Sequence, residues 1–380
     1  MAGATTAPLA RVGGVPATLE EAVAAAADIL VRARLPLVYG LVETTVEAQR
    51  LAVEIADLAG GAVDTAASAG HEASLLAFQR MGQLTATLGE ARERADLVVF
   101  WGIDPDTREP GFRERYLTRT ADSPERVRVA VDIGKARGPD EAEERIAIPA
   151  AAEFEALWAL RAMVRGGRRV DEERLESLGL SLDLLQPLAW RLVSCRYGVI
   201  FHDADPPPER RDPLRALALG ALVEDANERA RVRLIGIRMP GNPVGAEAVL
   251  TWQTGYPFAV HFGRGYPRYG PGEYTGAALL ARGGADAVLL VGVDPDRHLT
   301  PAERERLGEI PSIVIGPAAE RAEGVRVAVV TAPFDEAPGG VYRMDGVPLN
   351  RRREAAQLTD AAVLADLAAA VRTRVQEGAA

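Results

Sequence analysis

Short apolar runs alternate with amphipathic helical stretches along the 380 residues, which predicts an α/β fold of two Rossmann-like parallel-sheet halves. A stretch that occurs twice marks the two halves. Asp96–Pro110 reads DLVVFWGIDPDTREP, and Asp286–Pro301 reads DAVLLVGVDPDRHLTP. Each copy is an apolar run, a Gly, one apolar residue, Asp-Pro-Asp and a polar loop. The runs have the length and composition of strands buried on both faces. Pro105 and Pro295 push the preceding residue out of helical geometry, so each strand ends there. Loops at the carboxyl ends of parallel strands line the ligand crevice of such folds, so both copies mark the lips of a site. The copies and their neighbours match in order and spacing. The expected divisions are a first half over 1–150, a helical connector over 151–195, a second half over 196–330, and a loop segment with a closing helix over 331–380.

Thr18 and Glu21 have capping-box spacing ahead of EEAVAAAADIL, which predicts a helix from Thr18 to Arg32. Leu37–Leu41 is the first buried strand. Thr44 and Glu47 are a second capping pair, and Ala48, Leu51, Ala52, Ile55 and Ala59 share one helix face. Ala62–Asp64 reads as a strand, followed by the small-residue loop DTAASAGHEAS and a helix over Ser74–Met81. The Asp96 strand, a strand over Arg126–Gly134 and a short edge strand over Arg145–Pro149 complete the first half. Ala150–Val193 is mostly helical, with Phe154, Leu157, Trp158 and Arg161 at helical spacing and a break at Gly166-Gly167. In the second half, Tyr197–Asp203 is a strand, Asp212-Pro213 starts a helix, and Arg231–Ile237, the Asp286 run, Ile310–Pro317 and Val325–Thr331 are strands. Residues 332–353 read as loop, and Leu358–Val375 as a helix.

The net charge of −10 excludes the basic footprint of nucleic-acid binding. Lys135 is the one lysine among 44 basic residues. The single cysteine, Cys195, sits in the apolar context VSCRYGVIF and builds no disulfide, zinc knuckle or iron–sulfur cluster. MAGATTAPLARVGG lacks the features of a signal peptide, and no apolar run has the length of a membrane span. A cytoplasmic location is expected.

Motif chemistry is sparse. Around Ser68, GxSxG fails because Ala66 takes the place of the first Gly. His71-Glu72 lacks the second His of HExxH. His202, His261 and His298 have no metal-ligand spacing among them. Asp104, Asp106, Asp294 and Asp296 suit either ligands for a ribose, cation or guanidinium, or caps of the helices after each strand. Gly241–Glu273 concentrates Gly, Pro and aromatics with His261, Arg264 and Arg268, and reads as a stiff loop suited to a planar ligand or a partner.

TTVEAQRLAVEIADLAGGAVDTAAS, TATLGEARERADLVVFWGIDP, EAVLTWQTGYPFAVHFGRGYPRYGPGEYT and VYRMDGVPL resemble the B subunit of formylmethanofuran dehydrogenase, from about Thr18 to about Arg353. The resemblance implies the fold of the molybdenum or tungsten bis-pterin oxidoreductases. That family's B subunit carries the metal, two pterin guanine dinucleotides and an iron–sulfur cluster. The pattern departs where that chemistry would sit. The family's metal-ligating cysteine or selenocysteine precedes a histidine, and here Gly70 precedes His71. The family's amino-terminal cysteine cluster has no counterpart. Its GCNP turn reads Gly102-Ile103-Asp104-Pro105, and its arginine-rich strand-end turn reads Asp132-Ile133-Gly134-Lys135. An acidic residue disfavours the approach of phosphate.

These departures resemble the branch of the family found in the bacterial formyltransferase/hydrolase complex, a scaffold without the iron–sulfur domain or the redox centre. That resemblance implies a non-catalytic subunit with no cofactor of its own. Its partners would be an amidohydrolase A subunit, a C subunit and a formyltransferase D subunit. Together they would move a formyl group from tetrahydromethanopterin to a methanofuran-type carrier and hydrolyse it to formate. Gly70, His71, Gly102, Asp104, Arg264, Arg268, Asp294 and Asp345 would line the vestigial pterin and metal cleft, with no residue catalytic. Two alternatives are an active pterin enzyme using His71 or Ser68 as ligand, and a small-molecule binding protein using the old cleft.

Overall fold

The computed structural model describes residues 9–166, 170–355 and 357–379. Ten strands supply its parallel cores among these residues: β1 (Pro36–Gly40), β2 (Ala62–Thr65), β3 (Leu97–Trp101), β4 (Val127–Ile133), β5 (Glu144–Ile148), β6 (Gly198–Asp203), β7 (Val232–Ile237), β8 (Ala287–Val291), β9 (Ser312–Ile315) and β10 (Val327–Val329). The chain divides into two compact units, Met1–Ala69 with Pro240–Ala380, and Gly70–Met239.

In the first unit, the parallel order is β2-β1-β8-β9-β10. Val260–His261 and Arg268–Tyr269 extend it antiparallel beside β2, and Ala10–Val12 and Val15–Pro16 extend it beside β10. Leu30, Val38, Ile55, Val249, Leu289 and Leu364 belong to one buried core beneath the helices. The Thr18–Glu21 capping box forms as its spacing predicts. The second expected box does not: Thr45 is the N-cap of Val46–Leu58 without a side-chain bond. Thr44 instead donates to Asp360, 2.7 Å away, and Glu47 accepts from Gly340 N at 2.9 Å. Tertiary partners take both side chains away from the local cap.

The second unit is a five-stranded, fully parallel sheet of order β5-β4-β3-β6-β7. Helices Glu153–Val164, Leu182–Ser194 and Pro213–Ala226 bury Leu157, Leu160, Leu185, Leu188, Leu219 and Leu222 in the same core as Val99, Trp101 and Ile200. These helices therefore belong to a unit and are not the connector expected over 151–195. Gly166 ends its helix with φ of +90°, while Gly167 lies outside the described residues.

The expected halves, cut at 150 and 195, are not the units of the structure. β1 and β2 of the first half join β8, β9 and β10 of the second, and β3, β4 and β5 join β6 and β7. Each strand was legible from its own apolar run, but its neighbour is chosen by packing far along the chain. The repeat itself holds in a permuted form. Each sheet has its Asp-Pro-Asp strand at the centre, the next two strands to one side and a strand–helix–strand pair to the other. The second unit enters this arrangement at the central strand, and the first enters it at the pair.

Three loop expectations are corrected. The helix before β3 starts at Ser68, not Ser74, because Ser, Ala, Gly and His offer no strong breaker. Residues 243–254 of the stiff loop are helical, started by Asn242 with Pro243 at the first position. Residues 332–353 contain a hairpin, Gly339–Tyr342 with Pro348–Arg351, whose turn places Gly346 at φ +80°. No helix among the described residues is long and apolar enough to cross a membrane.

Candidate functional site

In the second unit the strand order reverses between β3 and β6, so the crevice position lies where Gly102 and Asp203 leave the sheet. Gly102 adopts φ +67° and donates its N–H to Val131 O at 2.8 Å. Asp104 is a cap: its Oδ1 accepts from Asp106 N at 3.0 Å, and Arg113 Nε stands 3.2 Å away. The capping reading of this aspartate is the one the geometry selects. Arg108 ties the two lips together, donating to Asp203 Oδ1 at 3.3 Å and to Asp205 O at 3.1 Å. Burial lifts the Asp203 carboxyl above the ordinary range, against the pull of Arg108.

Beneath these lips lies a buried polar cluster that sequence reasoning missed. Glu153 Oε1 accepts from Trp101 Nε1 at 2.8 Å, Arg210 Nη2 at 3.0 Å and Arg215 Nη1 at 3.0 Å. Burial works to raise the Glu153 carboxyl. The charges of Arg215 and Arg210 and the hydrogen bonds from Arg210 and Trp101 outweigh it, so the group stays ionised below its usual range. His202 pairs in register with Trp101 and shares its face of the sheet. Burial, then the Arg215 charge and His71, push its imidazole down to about 3, so it is neutral. Its Nδ1 and Arg210 Nη1 have no hydrogen-bond partner among the described residues. The available signal was a charged residue at the start of a helix, Glu153 and Arg215, at the carboxyl end of the sheet.

Gly70 and the half-buried His71 lie in the first turn of helix Ser68–Met81. A Cβ on Gly70 would stand 3.1 Å from Asp205 Cβ and 3.3 Å from its Cα. Asp205 is itself fixed, with Oδ2 accepting from Met239 N at 2.6 Å and Arg238 Nε at 3.2 Å. Asp132 organises its own turn, accepting from Arg137 N at 2.7 Å and Gly138 N at 2.9 Å, with Arg145 as ion-pair partner.

The first unit reverses its strand order between β1 and β8. Gly292, after β8, adopts φ +54°, and a Cβ there would meet Thr44 Cβ at 2.7 Å. Asp294 caps Pro295–His298, accepts from Asp296 N at 3.1 Å and pairs with Arg321. Arg297 pairs with Glu43 at 3.1 Å, and a cavity of about 330 Å³ lies among Glu43, Gly292, Asp294, Arg297, Arg321 and Phe334. At the end of β2, the fully buried Asp64 accepts from Ser68 Oγ at 2.7 Å, Gly276 N at 2.7 Å and Ala259 N at 3.0 Å. Burial lifts this carboxyl to about 7, although the hydrogen bonds from Gly276, Ser68, Ala259 and Thr65 oppose it. His261 stacks on Tyr274 with centroids 4.8 Å apart, and the Arg268 guanidinium lies 5.5 Å from the Tyr274 ring. Arg264 is exposed, and Asp345 pairs with Arg343 in the hairpin turn, 2.7 Å from its Nε.

The eight residues expected along one cleft are thus shared between the units. Gly70, His71, Gly102 and Asp104 belong to the second, and Arg264, Arg268, Asp294 and Asp345 to the first. A metal held through a thiolate does not fit the residues present. Position 70 has no side chain, and no group of three His, Cys, Asp or Glu residues suited to a metal ion occurs among the described residues.

No protein-family model matches the chain. Over 343 residues it is 32% identical to the B subunit of the tungsten-containing formylmethanofuran dehydrogenase 2 of Methanocaldococcus jannaschii, covering 88% of this chain and 78% of that protein. The same-named protein of Methanococcus maripaludis matches with the same identity and coverage. The B subunit of the formyltransferase/hydrolase complex Fhc of Methylorubrum extorquens is 29% identical over 377 residues, 96% of each chain. Among solved structures, a chain of the formyltransferase/hydrolase complex from Methylorubrum extorquens, crystallised with methylofuran, superposes with a TM-score of 0.78. It is 26% identical and covers 97% of this chain and 99% of its own.

Proposed function

We propose, for a chain that belongs to the family of formylmethanofuran dehydrogenase B subunits, the role of a non-catalytic structural component in a formyltransferase/hydrolase complex. The observation that carries the reading is Gly70. The position before His71 offers no side-chain donor atom, and a Cβ there would press on Asp205 at 3.1 Å. The likeness to the Methylorubrum extorquens protein along nearly all of both chains supports it. In this reading the fold is of the bis-pterin oxidoreductase type. The chain binds no pterin, molybdenum, tungsten or cluster. Its partners are the A, C and D subunits. They transfer a formyl group from formyl-tetrahydromethanopterin to a methanofuran-type carrier and hydrolyse it to formate, in the cytoplasm. The work left to this chain is to hold partner surfaces in register. Both parallel cores, the Arg108 contacts across the β3 and β6 lips and the Asp64 hub suit that role by keeping the loops rigid.

Affinity purification of the tagged chain from its own cells tests this. Three partner subunits are expected to co-elute with formyl-transfer and formyl-hydrolysis activity, and without stoichiometric molybdenum or tungsten. One metal atom per chain together with formate-dependent dye reduction would overturn the reading.

A further inference from the structure

Helix Glu153–Val164 of the second unit is apolar on two faces. One face buries Ala156, Leu157, Leu160 and Val164 in the core. A second stripe carries Phe154, Trp158 and Ala162, each four residues after the last. Phe154 and Trp158 meet edge to face with centroids 6.0 Å apart, yet they are 36% and 50% exposed. A helix with a second apolar face is one built to pack on two sides. With Ala159, Val170 and Leu175 the stripe lines a groove of about 500 Å³. The charges around this groove are unevenly used. Glu155 pairs with Arg174 at 2.9 Å, and Asp171 caps helix Glu172–Ser177 by accepting from Arg174 N at 2.9 Å. Arg161 lies 4.4 Å from the Trp158 ring centre and holds Asp225 Oδ2 at 2.8 Å. Arg165 stands 3.8 Å from the same carboxylate, beyond hydrogen-bond length, so its guanidinium has donors to offer an acceptor from outside.

We propose that this groove docks an amphipathic helix of another subunit of the complex, with two apolar side chains one turn apart over Ala159 and Ala162 and a carboxylate reaching Arg165. The inference rests on the proposed role as a subunit, and it adds the face and the chemistry of the contact. A helix fits better than an extended segment, because the wall is itself a helix whose ridges interlock with those of a second one. An added strand would need unpaired backbone groups, which helix Glu153–Val164 keeps in its own bonds. The partner is acidic at this point because Glu155, Asp171 and Asp225 already have partners, while a basic helix would meet Arg161, Arg165 and Arg174. A tryptophan beside an arginine is also where interface energy concentrates.

The test uses the complex purified through the tagged chain, with the full chain alone as reference. Hydroxyl-radical footprinting reads side-chain exposure, and oxidation of Trp158 is expected to fall severalfold on assembly. Trp158→p-benzoylphenylalanine, irradiated within the complex, should cross-link to one partner subunit. The linked peptide should be helical, with apolar residues four apart and an Asp or Glu within one turn of them. Arg165→Glu should lower the cross-link yield severalfold through like-charge repulsion. A cross-link to a second copy of this chain, or to a peptide without a carboxylate, overturns the proposal. So does Trp158 oxidation that is equal in the free chain and the complex. The wild-type footprint decides the matter even where a substituted chain does not assemble. An intact complex with Trp158 open sinks the groove alone, whereas a chain that purifies without partners sinks the proposed complex and the occupant with it.

Discussion

Asp360 accepts from both Thr44 and Thr331, and burial lifts its carboxyl to about 6. The unfolded carboxyl releases its proton near pH 4, so between about pH 4 and 6 the folded state holds more protons than the unfolded one. Stability from this group is complete below pH 4 and is lost as pH rises through 6. Asp360→Asn keeps groups able to bond both hydroxyls and removes the charge. Urea unfolding at pH 8 should show the variant more stable by about 3 kcal/mol, with the difference vanishing toward pH 4. A second residue-scale test concerns Gly70. Gly→Ala inside a helix normally stabilises by about 1 kcal/mol. Here the Asp205 contact predicts the opposite sign, a loss of about 1 kcal/mol, read as a lower urea midpoint at unchanged slope.

At the scale of elements, Arg126 is a side-chain clamp. It donates to Ala91 O, Arg92 O, Ala95 O and Leu117 O at 2.7–3.1 Å, and so closes the end of helix Leu88–Arg94 against the chain before β4. The first three of these carbonyls are those that a helix end leaves without partners. Arg126→Leu should lower stability by about 2 kcal/mol, and hydrogen exchange should speed up in residues 88–95 before the rest of the unit. Such clamps are hard to read from sequence because the arginine follows its three helix-end partners by 31 to 35 positions. Local signals fared better. The capping box at Thr18 lies within one turn, and both Asp-Pro-Asp loops cap the turn they start. Asp345-Gly346 between Val341 and Val347 was an available hairpin signal that the Gly- and Pro-rich composition of 332–353 obscured.

At the scale of the whole molecule, the second unit lies inside the first along the chain. All five strands and the packed helices of the second sheet fall within residues 70–239. That segment, expressed alone, should unfold cooperatively with helix and strand content intact by circular dichroism. Residues 1–150 take strands from both sheets and complete neither, so they should show no cooperative transition. The reverse result would restore the division expected from sequence.

The sequence by itself determined the α/β class, the strands of the two parallel cores, the repeated strand with its glycine and aspartates, and the missing side-chain donor at position 70. These depend on hydrophobic periodicity and on side-chain chemistry within a few residues, both carried by the chain locally. Tertiary structure alone decided that β1 lies beside β8 and β3 beside β6, that Thr44 serves Asp360 rather than a cap, and that Glu153, Arg210 and Arg215 meet behind Gly102. The physical reason is common to all three. Buried backbone and buried charge must find partners, and in a sheet with crossover connections those partners lie tens to hundreds of residues away.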